Sequence, residues 1–254
     1  MQEDRARFLS RFKFDKRKGG FVGIEREHFL AIGDNLVPIA KDFLEARKDN
    51  RWTYELSACQ AEVRTRPKQS QDAVKLELLE NWNNGQARAA GIGVILINQE
   101  VGPSNMPLTV YPDPRYLEIV AQISQERLAA ACRVTGTHIH LGMRSMDEAI
   151  DCYNALIFSL EYLSILGDHS GGERLRLYKL MAKNWEPPHY RDINHFLEVA
   201  RINGFDNNPR NCWHLVRISK HGTVELRMFG VTDYVDEIIY WISSIKELIS
   251  LRNF

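Results

Sequence analysis

Residues 136–142 read GTHIHLG, and the fold turns on how that stretch is read. As a β-strand running from Thr135 to Met143, its side chains alternate faces with a period of two. One face carries Thr135, Thr137, Ile139, Leu141 and Met143, which suits a core. The other carries Gly136, His138, His140 and Gly142. Two imidazoles between positions without side chains make that face either an edge of the core or the floor of a site.

Working outward, strand candidates cover 20–31, 52–65, 91–98, 134–143 and 213–229. In GFVGIEREHFL (20–30), alternation puts Phe21, Gly23, Glu25, Glu27 and Phe29 on one face. Val22, Ile24, Arg26, His28 and Leu30 take the other. Two carboxylates one pleat apart raise each other's pKa unless a cation neutralises them; taken alone, the pair also reads as a solvated face. In WTYELSACQAEVRTRP (52–67), Glu62 shares a face with Gln60 and Arg64, while Glu55 falls on the opposite face of a regular strand. For both to serve one site the chain must bulge or turn near Ser57–Cys59; otherwise Glu55 faces water. In KHGTVELRMFG (220–230), Thr223, Glu225, Arg227 and Phe229 share a face, and Val224, Leu226 and Met228 form the core side. Glu225 and Arg227 are either a plain ion pair or the holder of one metal and one anionic group. The run Gly91–Ile97 reads as a buried strand, its two glycines too few for a phosphate loop.

Helical candidates lie between these strands at 35–48, 70–83, 114–131, 146–165, 191–203 and 233–252. Asp192 precedes INHFLEVARI, and Asp147 lies in the first turn of MDEAIDCYNALIFSLEYL. The last helix carries Ile238, Trp241, Ile242, Ile245, Leu248 and Ile249 at helical spacing. Core packing explains that stripe without a cofactor; an interface in a homo-oligomer would use it equally well. No repeat or low-complexity linker divides the chain, so 1–254 reads as a single domain.

The bulk composition narrows the function. Lys+Arg and Asp+Glu each total 33, so the basic excess of a nucleic-acid binder is absent. The four cysteines are scattered with no C-x-x-C pair, which suits reduced thiols in a cytoplasm. The stretch MQEDRARFLSRFKF is too charged for a signal peptide, and no apolar run reaches membrane-spanning length. A soluble, cytoplasmic protein is expected.

Together, four strands point Glu25, Glu27, Glu62, His138, His140, Glu225 and Arg227 into one concave surface. Hard oxygen ligands in that number suit Mg²⁺ or Mn²⁺, whereas zinc needs more nitrogen or sulfur. A carboxylate-rich, magnesium-loaded cavity with an arginine is the equipment for phosphoryl transfer from ATP. No Walker-type lysine loop is present, so metal and strands would hold the nucleotide.

These residues also resemble a known family, the carboxylate–amine ligases of the bacterial glutamate–cysteine ligase type, relatives of glutamine synthetase. GIEREHFL (23–30) is similar to the family's first strand, and YELSACQAEVRT (54–65) to its second, with two acids seven apart before a basic residue and Thr. YPDPRYLEI (111–119) resembles the Arg-Tyr segment ahead of the His strand, GTHIHLGM (136–143) the G-x-H-x-H-x-G strand, and HGTVELRMFG (221–230) the E-x-R strand. The motifs follow the family's order from about residue 20 onward.

The resemblance implies an α+β fold. Its curved, mainly antiparallel sheet would form a funnel-like active site with helices packed outside, as in the glutamine synthetase catalytic domain. It implies that Glu25, Glu27, Glu55, Glu62, His138 and Glu225 hold Mg²⁺ or Mn²⁺, that His140 lies near the nucleotide phosphates, and that Arg227 contacts the transferred phosphoryl group. Glu62, Glu225 and Arg227 would be the catalytic set. Arg64 and Arg133 would contact a substrate carboxylate. Arg174 and Lys179, within GGERLRLYKLMAKNWEPPHY (171–190), would face phosphates unless they are surface charges. ATP would phosphorylate a carboxylic acid such as glutamate, and an amine such as cysteine would displace phosphate to leave an amide. The two flanking glycines would then leave room for the histidines. Two departures stand out: Gly230 occupies a position usually Asp, and the chain stops soon after the last helix. A non-catalytic relative that binds nucleotide or metal as a sensor or partner is the second reading, and a zinc-preferring hydrolase the third.

Overall fold

The computed structural model describes residues 2–251. Its centre is a sheet of eight strands: β1 (Val22–Ile32), β2 (Asn35–Leu36), β3 (Trp52–Tyr54), β4 (Gln60–Arg64), β5 (Ile95–Ile97), β6 (Thr137–Gly142), β7 (Val216–Ser219) and β8 (Thr223–Phe229). The spatial order is β3-β4-β1-β6-β8-β7, with β2 and β5 both pairing with β1. Every pairing is antiparallel. The class is α+β, an open, mainly antiparallel sheet with helices.

The stretch 52–65 is a hairpin and not one strand. β3 and β4 pair with Thr53 opposite Glu62, and residues 55–59 make the turn that the odd spacing of Glu55 and Glu62 demands. The stretch 213–229 is likewise a hairpin, closed at Gly222, whose φ of +72° a glycine adopts without the cost other residues meet there. Within 91–98 only β5 is extended, and Ile95 is exposed, so that stretch is not the buried run its composition suggests.

Several helices differ from the periodicity in extent. The candidate 114–131 divides into Pro114–Val120 and Gln125–Arg133, each with its own side-chain cap, Asp113 and Ser124. The candidate 146–165 breaks at Ser159 into Met146–Ile157 and Leu160–Leu166. The candidate 35–48 begins as β2 and is helical only over Ala40–Glu45, while 70–83 extends to Gln71–Ala90. The candidates 191–203 and 233–252 correspond to Ile193–Ile202 and Val235–Ser250. Two further helices, Gln2–Leu9 and Glu173–Met181, carry no local signal strong enough to anticipate.

The largest core lies on one face of β1, β6, β7 and β8. There Val22, Ile24, Ile139, Val224 and Leu226 meet helices Met146–Ile157, Ile193–Ile202 and Val235–Ser250. The stripe of the last helix is spent here: Ile238, Trp241, Ile242 and Ile245 are fully buried, and Trp241 stacks on Phe229 with centroids 5.0 Å apart. Each such side chain stabilises the fold by about 1.5–3 kcal/mol through apolar burial. Phe229 therefore leaves the face it shares with Glu225 and Arg227 under strict alternation. The cause is a register shift between β6 and β8: Ile139 pairs with Leu226 but Thr137 pairs with Phe229, so β8 holds one extra residue and the parity flips. Among the described residues, no single helix is long and apolar enough to cross a membrane.

Candidate active site

The opposite sheet face carries the polar residues, and register arranges them in rows. One row runs Gly23, His140, Glu225, Arg217 across β1, β6, β8 and β7. A second runs Arg64, Glu25, His138 across β4, β1 and β6. A third runs Thr53, Glu62, Glu27 across β3, β4 and β1. Directly opposed residues in an antiparallel sheet have Cβ atoms about 4.5–5.5 Å apart, so each row sets its side chains side by side. The rows line a cavity of about 320 Å³, and the turn after β3 brings Glu55 into it.

Ligand atoms in three groups lie within 4.8 Å of one another: Glu25 with Glu62 and His138, Glu25 with His140 and Glu225, and Glu27 with Glu55 and Glu62. His138 Nδ1 is 3.4 Å from Glu25 Oε2, and its Nε2 is 3.7 Å from Glu27 Oε1. His140 Nδ1 pairs with Thr223 Oγ1 at 2.8 Å, which leaves its buried Nε2 without a hydrogen-bond partner. Tyr116 donates to Glu55 Oε2 at 3.4 Å.

The electrostatics divide this cavity in two. Around Glu225 the negative charge is met: its Oε2 accepts from Arg217 Nε at 2.7 Å and its Oε1 from Arg227 Nη1 at 2.6 Å. Burial raises the Glu225 pKa, but Arg217, His140 and Arg227 overcome it and hold the carboxyl well below its usual range. Burial raises the Glu25 pKa, but the charge of His140, whose Nε2 lies 3.4 Å from Oε2, and the contact with His138 outweigh it and hold the carboxyl low. Burial tends to lower the pKa of His140, yet Glu25 and Glu225 raise it, whereas burial and Arg227 lower that of His138 to about 4.

Around Glu27, Glu55 and Glu62 positive charge is short. Burial and the neighbouring Glu55 push Glu27 up to about 8, and burial with three nearby glutamates raises Glu62 well above its ordinary value. Burial raises Glu55 too, and the negative charge of Glu25 adds to the effect. A divalent cation in this cluster would supply the missing positive charge. A donor set of carboxylate oxygens plus imidazole nitrogen, with one imidazole nitrogen orphaned, suits a hard divalent cation.

Arginines meet different fates. Arg227 lines the cavity with Nε and Nη1 engaged, while its Nη2 has no protein partner among the described residues. Arg64 also lines it, half-exposed, its Nε 3.6 Å from Glu62 Oε1. Arg174 is not a surface charge. Fully buried at the cavity wall, it donates from Nε to Thr135 O at 2.5 Å, from Nη1 to Met228 O at 2.9 Å and from Nη2 to Arg227 O at 3.1 Å. Each of its three nitrogens donates to a main-chain carbonyl.

Arg133 and Lys179 are outside the cavity. Arg133 donates to Gly102 O at 2.9 Å and faces Glu173, and the exposed Lys179 ammonium lies 4.1 Å from the Trp185 ring centroid.

The glycines of GTHIHLG serve a different purpose from making room for the histidines. A Cβ at Gly136 would overlap Arg174 Nη2, and one at Gly142 would overlap the carbonyl oxygen of Lys18. At Gly23, the cross-strand partner of His140, a Cβ would sit 3.9 Å from His140 Cβ, an ordinary contact. At Gly230 the space of a side chain is filled by the Glu100 carboxyl, whose Oε1 accepts from the His169 amide at 3.0 Å.

Sequence reasoning missed Arg217, Tyr178 and Trp213, all cavity-lining. Arg217 was within reach: a turn at Gly222 sets it opposite Glu225. Tyr178 and Trp213 offered no signal of their own.

No family model matches the sequence. The chain is 25% identical over 201 residues to "Putative glutamate–cysteine ligase 2" of Roseiflexus castenholzii, covering 73% of this chain and 52% of that protein. It is 22% identical over 204 residues to the protein of the same name from Chloroflexus aggregans, covering 74% and 52%. The chain thus spans about half the length of the curated relatives it matches. Among solved structures, a bifunctional glutathione synthetase from Pasteurella multocida superposes with a TM-score of 0.55 at 12% identity, covering 98% of this chain and 41% of that one. The latter likeness concerns the fold. The resemblance drawn from the sequence motifs is borne out: this chain is similar to proteins named as glutamate–cysteine ligases.

Proposed function

We propose that the chain is an ATP-dependent carboxylate–amine ligase, built as a single catalytic domain on a funnel-shaped, glutamine synthetase-like sheet. The observation that carries this is the convergence of Glu25, Glu27, Glu55, Glu62, His138 and Glu225 with Arg227 in one cavity, in a chain similar to glutamate–cysteine ligases. Those five glutamates and one histidine would hold Mg²⁺ or Mn²⁺, with His140 beside the nucleotide phosphates. A bound divalent cation would neutralise charge on the β- and γ-phosphates of ATP.

The chain's own residues do the rest. Arg227 offers Nη2 to the migrating phosphoryl group, the one guanidinium nitrogen left without a protein partner. Arg217 and Arg227 keep Glu225 ionised. Arg64 at the cavity rim takes a carboxylate of the acid. The acid's carboxylate oxygen attacks the γ-phosphorus and ADP departs; the amine then attacks the acyl carbon, phosphate leaves and a proton is released. The cysteines, all buried and free, have no part in this and fit a cytoplasmic setting. Glutamate and cysteine are the substrates that the relatives' names suggest.

The test is purified protein with Mg-ATP, a panel of carboxylic acids and hydroxylamine, measuring hydroxamate and ADP. Acid-dependent hydroxamate supports acyl-phosphate chemistry and identifies the acid. Bound Mg-ATP with neither product would replace this reading with that of a non-catalytic nucleotide-binding relative.

A further inference from the structure

Arg227 is gripped from a side that no part of the proposed chemistry requires. Its Nε donates to Tyr178 Oη at 3.0 Å, and Tyr178 Oη in turn donates to the Trp213 carbonyl oxygen at 3.0 Å. Its guanidinium carbon lies 6.0 Å from the Tyr178 ring centroid and 5.9 Å from that of Trp213, within reach of both π-faces. Its main-chain amide donates to Leu215 O at 2.8 Å, tying β8 to the segment that carries Trp213. Tyr178 comes from the helix Glu173–Met181, so two elements far apart in sequence converge on one guanidinium.

We infer that Tyr178 and Trp213 are positioning residues that orient Arg227. Donor counting gives the reason. A guanidinium has five N–H groups in a rigid plane. The Tyr178 hydroxyl takes the Nε donor and Glu225 takes one on Nη1, and a planar group held at two edges cannot rotate. The Nη2 edge is then the one presented to the cavity. Arg174, on the same helix as Tyr178, is anchored at all three nitrogens by main-chain carbonyls, whereas Arg227 is anchored at two. The Tyr178 hydroxyl spends its one proton on the Trp213 carbonyl and accepts from Arg227 Nε, so it holds the guanidinium against a fixed point of the backbone. Freed of it, the guanidinium can swing about its remaining contact with Glu225.

This inference rests on the ligase reading for its effect on turnover, but not for the geometry, and the test separates the two. In wild-type protein labelled with ¹⁵N-arginine, the Nε–Hε signal of Arg227, identified by its loss in Arg227→Lys, should exchange slowly with water. In Tyr178→Phe, which keeps the ring, that exchange should speed up by roughly tenfold or more, as expected when a buried hydrogen bond is lost. In the hydroxamate assay Tyr178→Phe should lower kcat roughly 10- to 100-fold, the scale of a displaced catalytic group. KM for ATP should stay within about twofold, because interactions made only in the transition state act on kcat. Trp213→Leu, which leaves the backbone carbonyl in place, should lower kcat in the same way but less, and it serves if Tyr178→Phe does not fold. An Nε–Hε signal that Tyr178→Phe and Trp213→Leu leave unchanged overturns the inference. A wild type that makes no hydroxamate overturns the ligase reading alone, and the exchange measurement still decides whether Tyr178 orients Arg227.

Discussion

Alanine at Gly136 tests how the wall of the cavity is assembled. Gly136 does not have a positive φ, so alanine fits the backbone, and that change alone stabilises by about 0.4–1 kcal/mol through the unfolded chain. The environment reverses the sign. The new methyl group would overlap Arg174 Nη2 and lie 3.0 Å from its Cζ and 3.1 Å from Phe229 O. Arg174 has nowhere to retreat, since its three nitrogens bond to the carbonyls of Thr135, Met228 and Arg227. Hydrogen bonds to charged groups contribute about 1.5–3 kcal/mol each, and a buried charge left short of partners costs about 3–5 kcal/mol. Losing the Nη2 bond and straining its neighbours should therefore cost about 3 kcal/mol net. For a chain of this size that lowers Tm by roughly 6–12 °C. Urea unfolding followed by tryptophan fluorescence measures it, with Arg174→Met completing a double-mutant cycle. The clash predicts strong non-additivity, because Gly136→Ala should cost little once the guanidinium is gone. A single variant within about 1 kcal/mol of wild type, or costs that simply add, would refute the argument.

Further outcomes are expected elsewhere. Glu62→Gln removes one of three crowded carboxyls, so the metal-free protein should melt higher while Mn²⁺ affinity drops roughly tenfold or more; thermal shifts with and without Mn²⁺ read both, and an undiminished Mn²⁺ effect would count against the site. Arg227→Lys should lower hydroxamate turnover about 100-fold or more, whereas Lys179→Ala and Arg133→Ala, which lie outside the cavity, should leave it within about twofold. His28, fully buried with Nε2 unpartnered, is pushed down to about 3, by burial first and Arg26 second. A depressed histidine is neutral in both states at neutral pH. Below about pH 6.5 the unfolded chain takes up a proton that the folded one refuses, so stability falls by up to about 4 kcal/mol as pH approaches 3. His28→Gln should flatten this acid limb in urea titrations at pH 7, 6 and 5, and an unchanged slope would contradict the assignment.

What the sequence revealed was local. E-x-E, H-x-H and E-x-R each lie within one strand, where alternation alone places two side chains on one face, and register then joins them into rows. The parity of Glu55 and Glu62 even required a turn, and the turn is there. The losses have a common physical origin in contacts between distant segments. Helix Glu173–Met181 begins at Gly172, which offers no capping side chain, and its buried face of Arg174, Leu177 and Tyr178 places an arginine where periodicity expects an apolar residue. That arginine and that tyrosine organise the cavity wall, so missing the helix meant missing the support of Arg227.

The same reasoning explains why GTHIHLG misled about its own glycines. A glycine in a strand records that something approaches closely, without naming what. Here the visitors are a guanidinium from residue 174 and a backbone carbonyl from residue 18, neither of them near the motif in sequence. Neither glycine borders a histidine: a Cβ at Gly136 or at Gly142 would meet other segments first. A motif that reads as one device, two histidines framed by glycines, is therefore two devices on one strand. The histidines face the cavity, and Gly136 admits the arginine that ties the carbonyls of β8 beside Arg227 to those of Thr135. The motif matters to the site twice, and only the first use is written within it.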